Sequence, residues 1–255
     1  MRKMMASLTL VMLMVCLAGC KTAGISQSEK EAKSASLSTV PRRIKVPYLK
    51  QLDGKTPDVA IAILNLRGTS GRIDCLNWSA QFPYKPLVTF RIARSRTHIF
   101  IKYTVQDELV KAVYGNDQDP VWKDSCVEFF CKRTDQTVYT NLEFNCIGTC
   151  LSEIHPSATQ SYYRPENEMK QILRYSTLGN KTFDEKQGNF NWELTVAIPF
   201  QLLGVDPSHL PEKIMGNFYK CGDGTSRKHY VSWSPIVTPS PSFHRPEFFG
   251  ELLLR

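Results

Sequence analysis

Four tryptophans occur in the chain, Trp78, Trp122, Trp192 and Trp233, and two of them stand where an indole face can do recognition chemistry. Trp122 lies in the polar run Gln118-Asp119-Pro120-Val121-Trp122-Lys123-Asp124-Ser125, directly before the apolar Cys126-Val127-Glu128-Phe129-Phe130. Trp233 sits in Val231-Ser232-Trp233-Ser234-Pro235, where proline stops strand pairing. An exposed indole is a flat, electron-rich platform for the C–H face of a pyranose, while nearby carboxylates, amides and cations bond the hydroxyls. Packing over the ends of a β-structure accounts for both positions equally well, since a lone Trp more often fills a core than carries a ligand. Trp192 alternates with Leu194 and Val196 and reads as core; Trp78 reads as core or rim.

A second chemistry is general acid–base catalysis by Glu128 and Glu143, which fall in two consecutive strand-like runs. Hydrolysis of a glycosidic bond would need their carboxyls ~5–9 Å apart astride a cleft, whereas ligand hydrogen bonding or solvation of a strand edge needs no such geometry. A haem or redox site would draw on His98, His155, His209, His229 or His244 with Met169 or Met215, but no Cys-x-x-Cys-His attachment motif is present. Beyond the first twenty residues the thiols are Cys75, Cys126, Cys131, Cys146, Cys150 and Cys221, without a Cys-x-x-Cys pair. Buried thiols come first, one or two disulfides second, and a metal site third. The formal charge of +8 is scattered, and the densest basic group, Arg91, Arg94 and Arg96, is interleaved with apolar residues. That pattern excludes a nucleic-acid footprint on one face.

These residues need strands to position them. Leu87–Ala93, His98–Val105, Cys126–Cys131, Val138–Ile147, Asn191–Ile198, Asn217–Cys221, Lys228–Trp233 and Phe248–Leu254 are rich in β-branched and aromatic residues and bounded by Gly, Pro, Asn and Asp. Ile99, Ile101, Tyr103 and Val105 alternate with Phe100, Lys102 and Thr104, and Gly222-Asp223-Gly224 suits a tight connection. Helical signals are confined to Asp107–Tyr114 and Phe200–Leu203. Many short strands with little helix predict an all-β, antiparallel β-sandwich with immunoglobulin-like or jelly-roll-like layering; a closed barrel is the competing form.

The N-terminus predicts location. Arg2 and Lys3 precede an apolar run, Leu8–Leu17, that closes in Leu17-Ala18-Gly19-Cys20, the pattern of a bacterial lipoprotein signal over residues 1–19. The run falls short of the ~20 residues of a membrane span. Lipidated Cys20 would begin the mature chain, a Ser-, Lys- and Ala-rich tether would extend over 20–40, and one domain would occupy 41–255. Lys21 after Cys20 predicts transit to the outer membrane.

The run Val121-Trp122-Lys123-Asp124-Ser125-Cys126-Val127-Glu128-Phe129-Phe130 resembles the Trp-Asp-x-x-Val-Glu strand entry of carbohydrate-binding module family 9. Tyr139–Gly148 is similar to its next central strand, and Trp192–Phe200 to its amphipathic strand before a short turn. Gly216–Cys221, Ser232–Pro235 and Phe243–Gly250 resemble the C-terminal part of its bacterial lipoprotein branch. The resemblance implies a non-catalytic β-sandwich that clamps a sugar between two indole rings. Trp122 and Trp233 would be those rings, Glu128 a hydroxyl acceptor, and Glu143 and Lys220 further polar contacts. It implies an oligo- or polysaccharide partner and separate glycanases, with the module held to the membrane by its lipid. No cofactor is expected; were structural calcium bound, as in some members, Asp117, Asp119 and Asp124 would be the oxygen donors. An enzyme acting on O-glycosyl bonds and an assembly lipoprotein without sugar binding are the rival readings.

Overall fold

The computed structural model describes residues 40–157 and 159–255, so the signal segment, Cys20 and the tether up to residue 39 lie outside the described residues. In chain order β1 (Arg43–Val46) and helix α1 (Pro57–Arg67) lead into β2 (Thr69–Ile73), β3 (Leu87–Arg94) and β4 (His98–Ala112). There follow β5 (Cys126–Arg133), β6 (Tyr139–Asn145), β7 (Cys150–Ser157), β8 (Gln160–Tyr163), the short helix α2 (Glu166–Met169) and β9 (Leu173–Ser176). The chain ends with β10 (Phe183–Pro199), β11 (Lys213–Cys221), β12 (Tyr230–Ser232) and β13 (Gly250–Leu254).

Two sheets form a sandwich. An eight-stranded sheet runs β1-β13-β11-β5-β6-β7-β8 with β12 beside β11, and a five-stranded sheet runs β2-β3-β4-β10-β9. All pairings are antiparallel except β1 with β13. Strand alternation sorts the side chains: Phe90, Ile92, Ile101, Tyr103, Trp192 and Leu194 from the smaller sheet meet Val127, Phe129, Leu142, Phe144 and Phe218 from the larger in the inter-sheet core.

Both sheets are also covered outside. Helix α1 lays Ala60 and Leu64 over Phe100, Ala93 and Ala197 on the smaller sheet. On the larger sheet Trp78, Phe243 and Phe249 cover Phe130, Tyr139 and Tyr219. The six cysteines in the described residues are free thiols, five of them buried. No helix among the described residues is long and apolar enough to cross a membrane.

Two local expectations change. Asp107–Tyr114 is not helical: β4 continues to Ala112 and pairs with β10 through Lys186↔Val110 and Gln187↔Leu109, with bulges on either side. Burial of Leu109, Val110 and Ala112 in the sandwich outweighs local propensity. The helix that does form, α1, starts at Thr56-Pro57-Asp58, with proline in its first turn and an acidic residue beside it. Phe200–Leu203 makes the single 3₁₀ turn expected there.

Candidate functional site

Strand register builds the site on the outer face of the larger sheet. Three rows of residues cross it: Cys221, Cys126 and Asn145; Tyr219, Glu128, Glu143 and Leu151; and Asn217, Phe130, Asn141, Glu153 and Tyr163. The period of two along each strand sends every one of these side chains to the same face. Loops close over part of that face and leave a cleft of about 380 Å³, within the size range of saccharide-scale pockets. Trp122, from the 3₁₀ turn Val121–Lys123, lines it together with Tyr163, Tyr230 and Phe243, and Glu128, Glu143, Glu153 and Asp223 supply carboxyls.

The aromatic walls differ in freedom. Trp122 is half-buried and carries the Lys123 ammonium 4.9 Å from its ring centroid, whereas Tyr163 is 63% exposed. Phe243 stacks on Tyr219 at 4.2 Å between centroids and meets Tyr230 edge-on, so that corner is preassembled. His244 completes it, its Nδ1 3.0 Å from the Tyr139 hydroxyl.

The carboxyls at the floor are unusual. Glu128 and Glu143 are direct cross-strand neighbours, 2% and 4% exposed, and one oxygen of each has no hydrogen-bond partner among the described residues. Asn141 Nδ2 donates to the other Glu143 oxygen at 2.9 Å, and the Cys221 thiol donates to Glu128 Oε1 at 3.0 Å. Burial pushes the Glu128 carboxyl up to about 8 and drives Glu143, next to Glu128, well above the carboxylate range. Near neutrality the floor therefore offers protonated carboxyls that can donate as well as accept, which suits binding of hydroxyls. At the rim, His155, whose Nε2 stands 3.5 Å from Glu153 Oε2, outweighs burial and lowers Glu153.

The structure separates the five predicted contacts. Trp122, Glu128 and Glu143 meet in the cleft; Trp233 and Lys220 do not. Trp233 is 3% exposed and packs edge-on against Phe218 and Phe90 in the inter-sheet core. Lys220 lies on the inner face of β11, one residue out of phase with Cys221 and Tyr219. Its Nζ donates to His229 Nε2 at 2.6 Å and to the Cys221 carbonyl at 2.8 Å, and stands 3.5 Å from Asp107 Oδ2. Residues absent from the sequence expectation, Tyr163, Tyr230, Phe243 and Glu153, complete the lining.

The three aspartates named for calcium are largely engaged by protein donors. Asp124 accepts from the Val113 and Tyr114 amides and from Asn145, Asp117 from Arg174 and the Cys150 amide, and Asp119 from the Asn116 amide. All of their carboxylate oxygens but Asp119 Oδ1 accept hydrogen bonds from protein donors, and among the described residues the three form no shared ion-binding group.

His244 sets a pH test of this corner. Burial, and then His155, lower its pKa to about 4, while Glu153 opposes the shift; Phe130 and Tyr139 are its other ring neighbours. Unfolding restores a pKa of ~6.5, so between these values the unfolded chain binds one more proton at this site. The neutral ring's contribution to stability is then present above ~6.5 and lost as pH falls. His244 is exposed to solvent, which screens much of this effect, so His244→Gln is expected to make stability less steep in pH between about pH 4.5 and 6 by well under the ~1.4 kcal/mol per unit of a fully sequestered proton, read from urea unfolding of both chains.

Comparison with known proteins agrees with this architecture. A sequence profile described as Carbohydrate-binding family 9 matches residues 59–254. A crystal structure of a candidate carbohydrate-binding protein from Bacteroides uniformis superposes with a TM-score of 0.79 at 32% identity, covering 85% of this chain and all of that one. A family 9 carbohydrate-binding module from Caldicellulosiruptor kristjanssonii shares the fold at 12% identity. Its complex with cellotriose gives a TM-score of 0.53, covering 84% of this chain and 94% of that one. Its complex with glucose gives 0.50, covering 84% and 96%. No curated protein matches the chain. The profile match over most of the chain and the 32% identity across the whole Bacteroides protein place this chain in carbohydrate-binding family 9.

Proposed function

We propose that this chain is a non-catalytic carbohydrate-binding protein that captures an oligo- or polysaccharide in the cleft on its larger sheet. The observation that carries the reading is the cleft itself, where the Trp122 and Tyr163 rings flank a floor with unpartnered carboxyl oxygens on Glu128 and Glu143. A sugar presents an apolar C–H face and a rim of hydroxyls, and the cleft supplies a counterpart to each. Glucose and cellotriose bound by the Caldicellulosiruptor module support this ligand class. In this reading Trp122 is the stacking platform, Tyr163 and Tyr230 are further aromatic contacts, and Glu128, Glu143 and Glu153 bond hydroxyls.

The proposal extends to setting. Lipid on Cys20 would tether the domain to the outer membrane, where a binding protein without its own hydrolytic site would hold glycan for separate glycanases. Support for this comes from the Leu17-Ala18-Gly19-Cys20 sequence and the Ser- and Lys-rich segment after it.

Titration calorimetry of the full chain against a panel of mono-, oligo- and polysaccharides tests the central claim. At least one ligand is expected to bind, and Trp122→Ala is expected to raise its Kd about 30-fold or more, the ~2 kcal/mol of a buried aromatic anchor. No heat from any saccharide with a cooperatively folded chain would reject the proposal.

A further inference from the structure

On the cleft floor Glu128, already given a hydroxyl-bonding role, also stands beside two thiols for which sugar binding has no use. Cys126 and Cys221 are directly opposed on β5 and β11, and Glu128 follows Cys126 by two residues on the same face. One ligand atom from each of the three lies within 4.8 Å of the others, and all three residues are buried. Cys221 Sγ is 3.0 Å from Glu128 Oε1 and 3.5 Å from the Trp122 carbonyl oxygen. The second Glu128 oxygen has no hydrogen-bond partner among the described residues, although the residue is only 2% exposed. Glu128 and Cys221 line the cleft, so the group is reached from solvent.

We propose that Cys126, Cys221 and Glu128 bind a divalent transition cation of the zinc class, with a fourth coordination position open to the cleft. Cysteine sulfur and carboxylate oxygen are each zinc donors, and three protein ligands with an open position define a site that can take water or another oxygen. Separation by small movements is enough, since these donors already crowd within the span of a tetrahedral shell. The sulfurs select against calcium and magnesium, which take oxygen donors. Binding is an exchange: each thiol, and Glu128 where protonated, gives its proton to solvent as the metal–ligand bond forms. Two thiolates, one carboxylate and a divalent ion leave one net negative charge, and the Lys220 ammonium beneath the strand, bonded to the Cys221 carbonyl, stands close enough to offset it. Sequence spacing concealed the group, because Cys126 and Cys221 come together only through strand register.

Cobalt is the probe. The full chain, reduced and without sugar, is expected to bind one equivalent of Co²⁺ with thiolate-to-cobalt charge-transfer absorption, displaced by Zn²⁺ and unaffected by excess Ca²⁺. Cys126→Ser and Cys221→Ser should each abolish the absorption, Glu128→Gln should weaken binding by ~10-fold or more, and Cys75→Ser, outside the cleft, should leave it unchanged. Absence of the absorption from the reduced wild-type chain would overturn the proposal, as would absorption that survives Cys126→Ser and Cys221→Ser. If a serine variant does not fold, the wild-type spectrum still decides, because cobalt held by oxygen and nitrogen alone lacks the charge-transfer band. Since no saccharide is present, this result stands or falls apart from the sugar-binding reading.

Discussion

Replacing Lys220 by alanine is expected to lower the unfolding free energy by about 3–5 kcal/mol, the cost of stripping a buried charge of its partner. Lys220 is fully buried between the sheets, and its ammonium bonds His229 and faces Asp107. Burial alone would raise the Asp107 carboxyl, yet Lys220 and a hydrogen bond from the Tyr84 hydroxyl hold it below its ordinary value. Burial, together with Lys220, also depresses His229 to about 3, so its Nε2 accepts the lysine proton while Nδ1 donates to the Arg227 carbonyl at 2.8 Å. Without the ammonium, Asp107 and His229 Nε2 both lose a partner in a low-dielectric site. The double variant Lys220→Met with Asp107→Asn should recover more than half of the loss, because it removes the stranded charge. Urea unfolding of the three chains measures this. A loss under ~1 kcal/mol for Lys220→Ala, accompanied by weaker sugar binding, would instead return Lys220 to the ligand.

The family resemblance puts Lys220 and Trp233 in the cleft, and the hydrophobic pattern of these strands does not correct it. In Asn217-Phe218-Tyr219-Lys220-Cys221 both faces carry a large aromatic, and in Cys126-Val127-Glu128-Phe129-Phe130 both carry apolar groups. Such runs arise when a sheet is covered on both sides, here by the second sheet within and by Trp78, Phe243 and Phe249 without. The hydrophobic pattern then stops marking the core side, and a shift of one residue exchanges ligand contact for buried ion pair. Where polar Lys102 and Thr104 break the other face the reading succeeds: Ile99, Ile101, Tyr103 and Val105 face the inter-sheet core as their alternation predicts. The pairing of Glu128 with Glu143 was legible because both lie on consecutive strands of one antiparallel run. Tyr163, Phe243 and His244 were not, since they reach the cleft from a separate hairpin and a long loop whose paths no local periodicity records. Helix α1 falls outside the segments expected to be helical, although Thr56-Pro57-Asp58 is a strong start signal.

Trp233→Ala is expected to separate core from ligand site most sharply, destabilising the chain by about 3–5 kcal/mol while leaving the sugar Kd of the folded protein within about threefold of wild type. The indole meets Phe218 edge-on at 5.5 Å and Phe90 at 6.4 Å between centroids, joining both sheets. It also lies against Gly250, where an added Cβ would stand 2.5 Å from the ring, so the first residue of β13 must be glycine for the indole to seat. Alanine would leave a void between the sheets that close-packed neighbours on paired strands can only partly fill. Trp122→Ala should do the reverse, because that ring is half-buried at the cleft and its loss opens a space already continuous with solvent. Unfolding curves and calorimetric titrations of the two variants form a crossed design. An unchanged unfolding midpoint with abolished binding in Trp233→Ala would place that ring back on the sugar and defeat the assignment of the cleft.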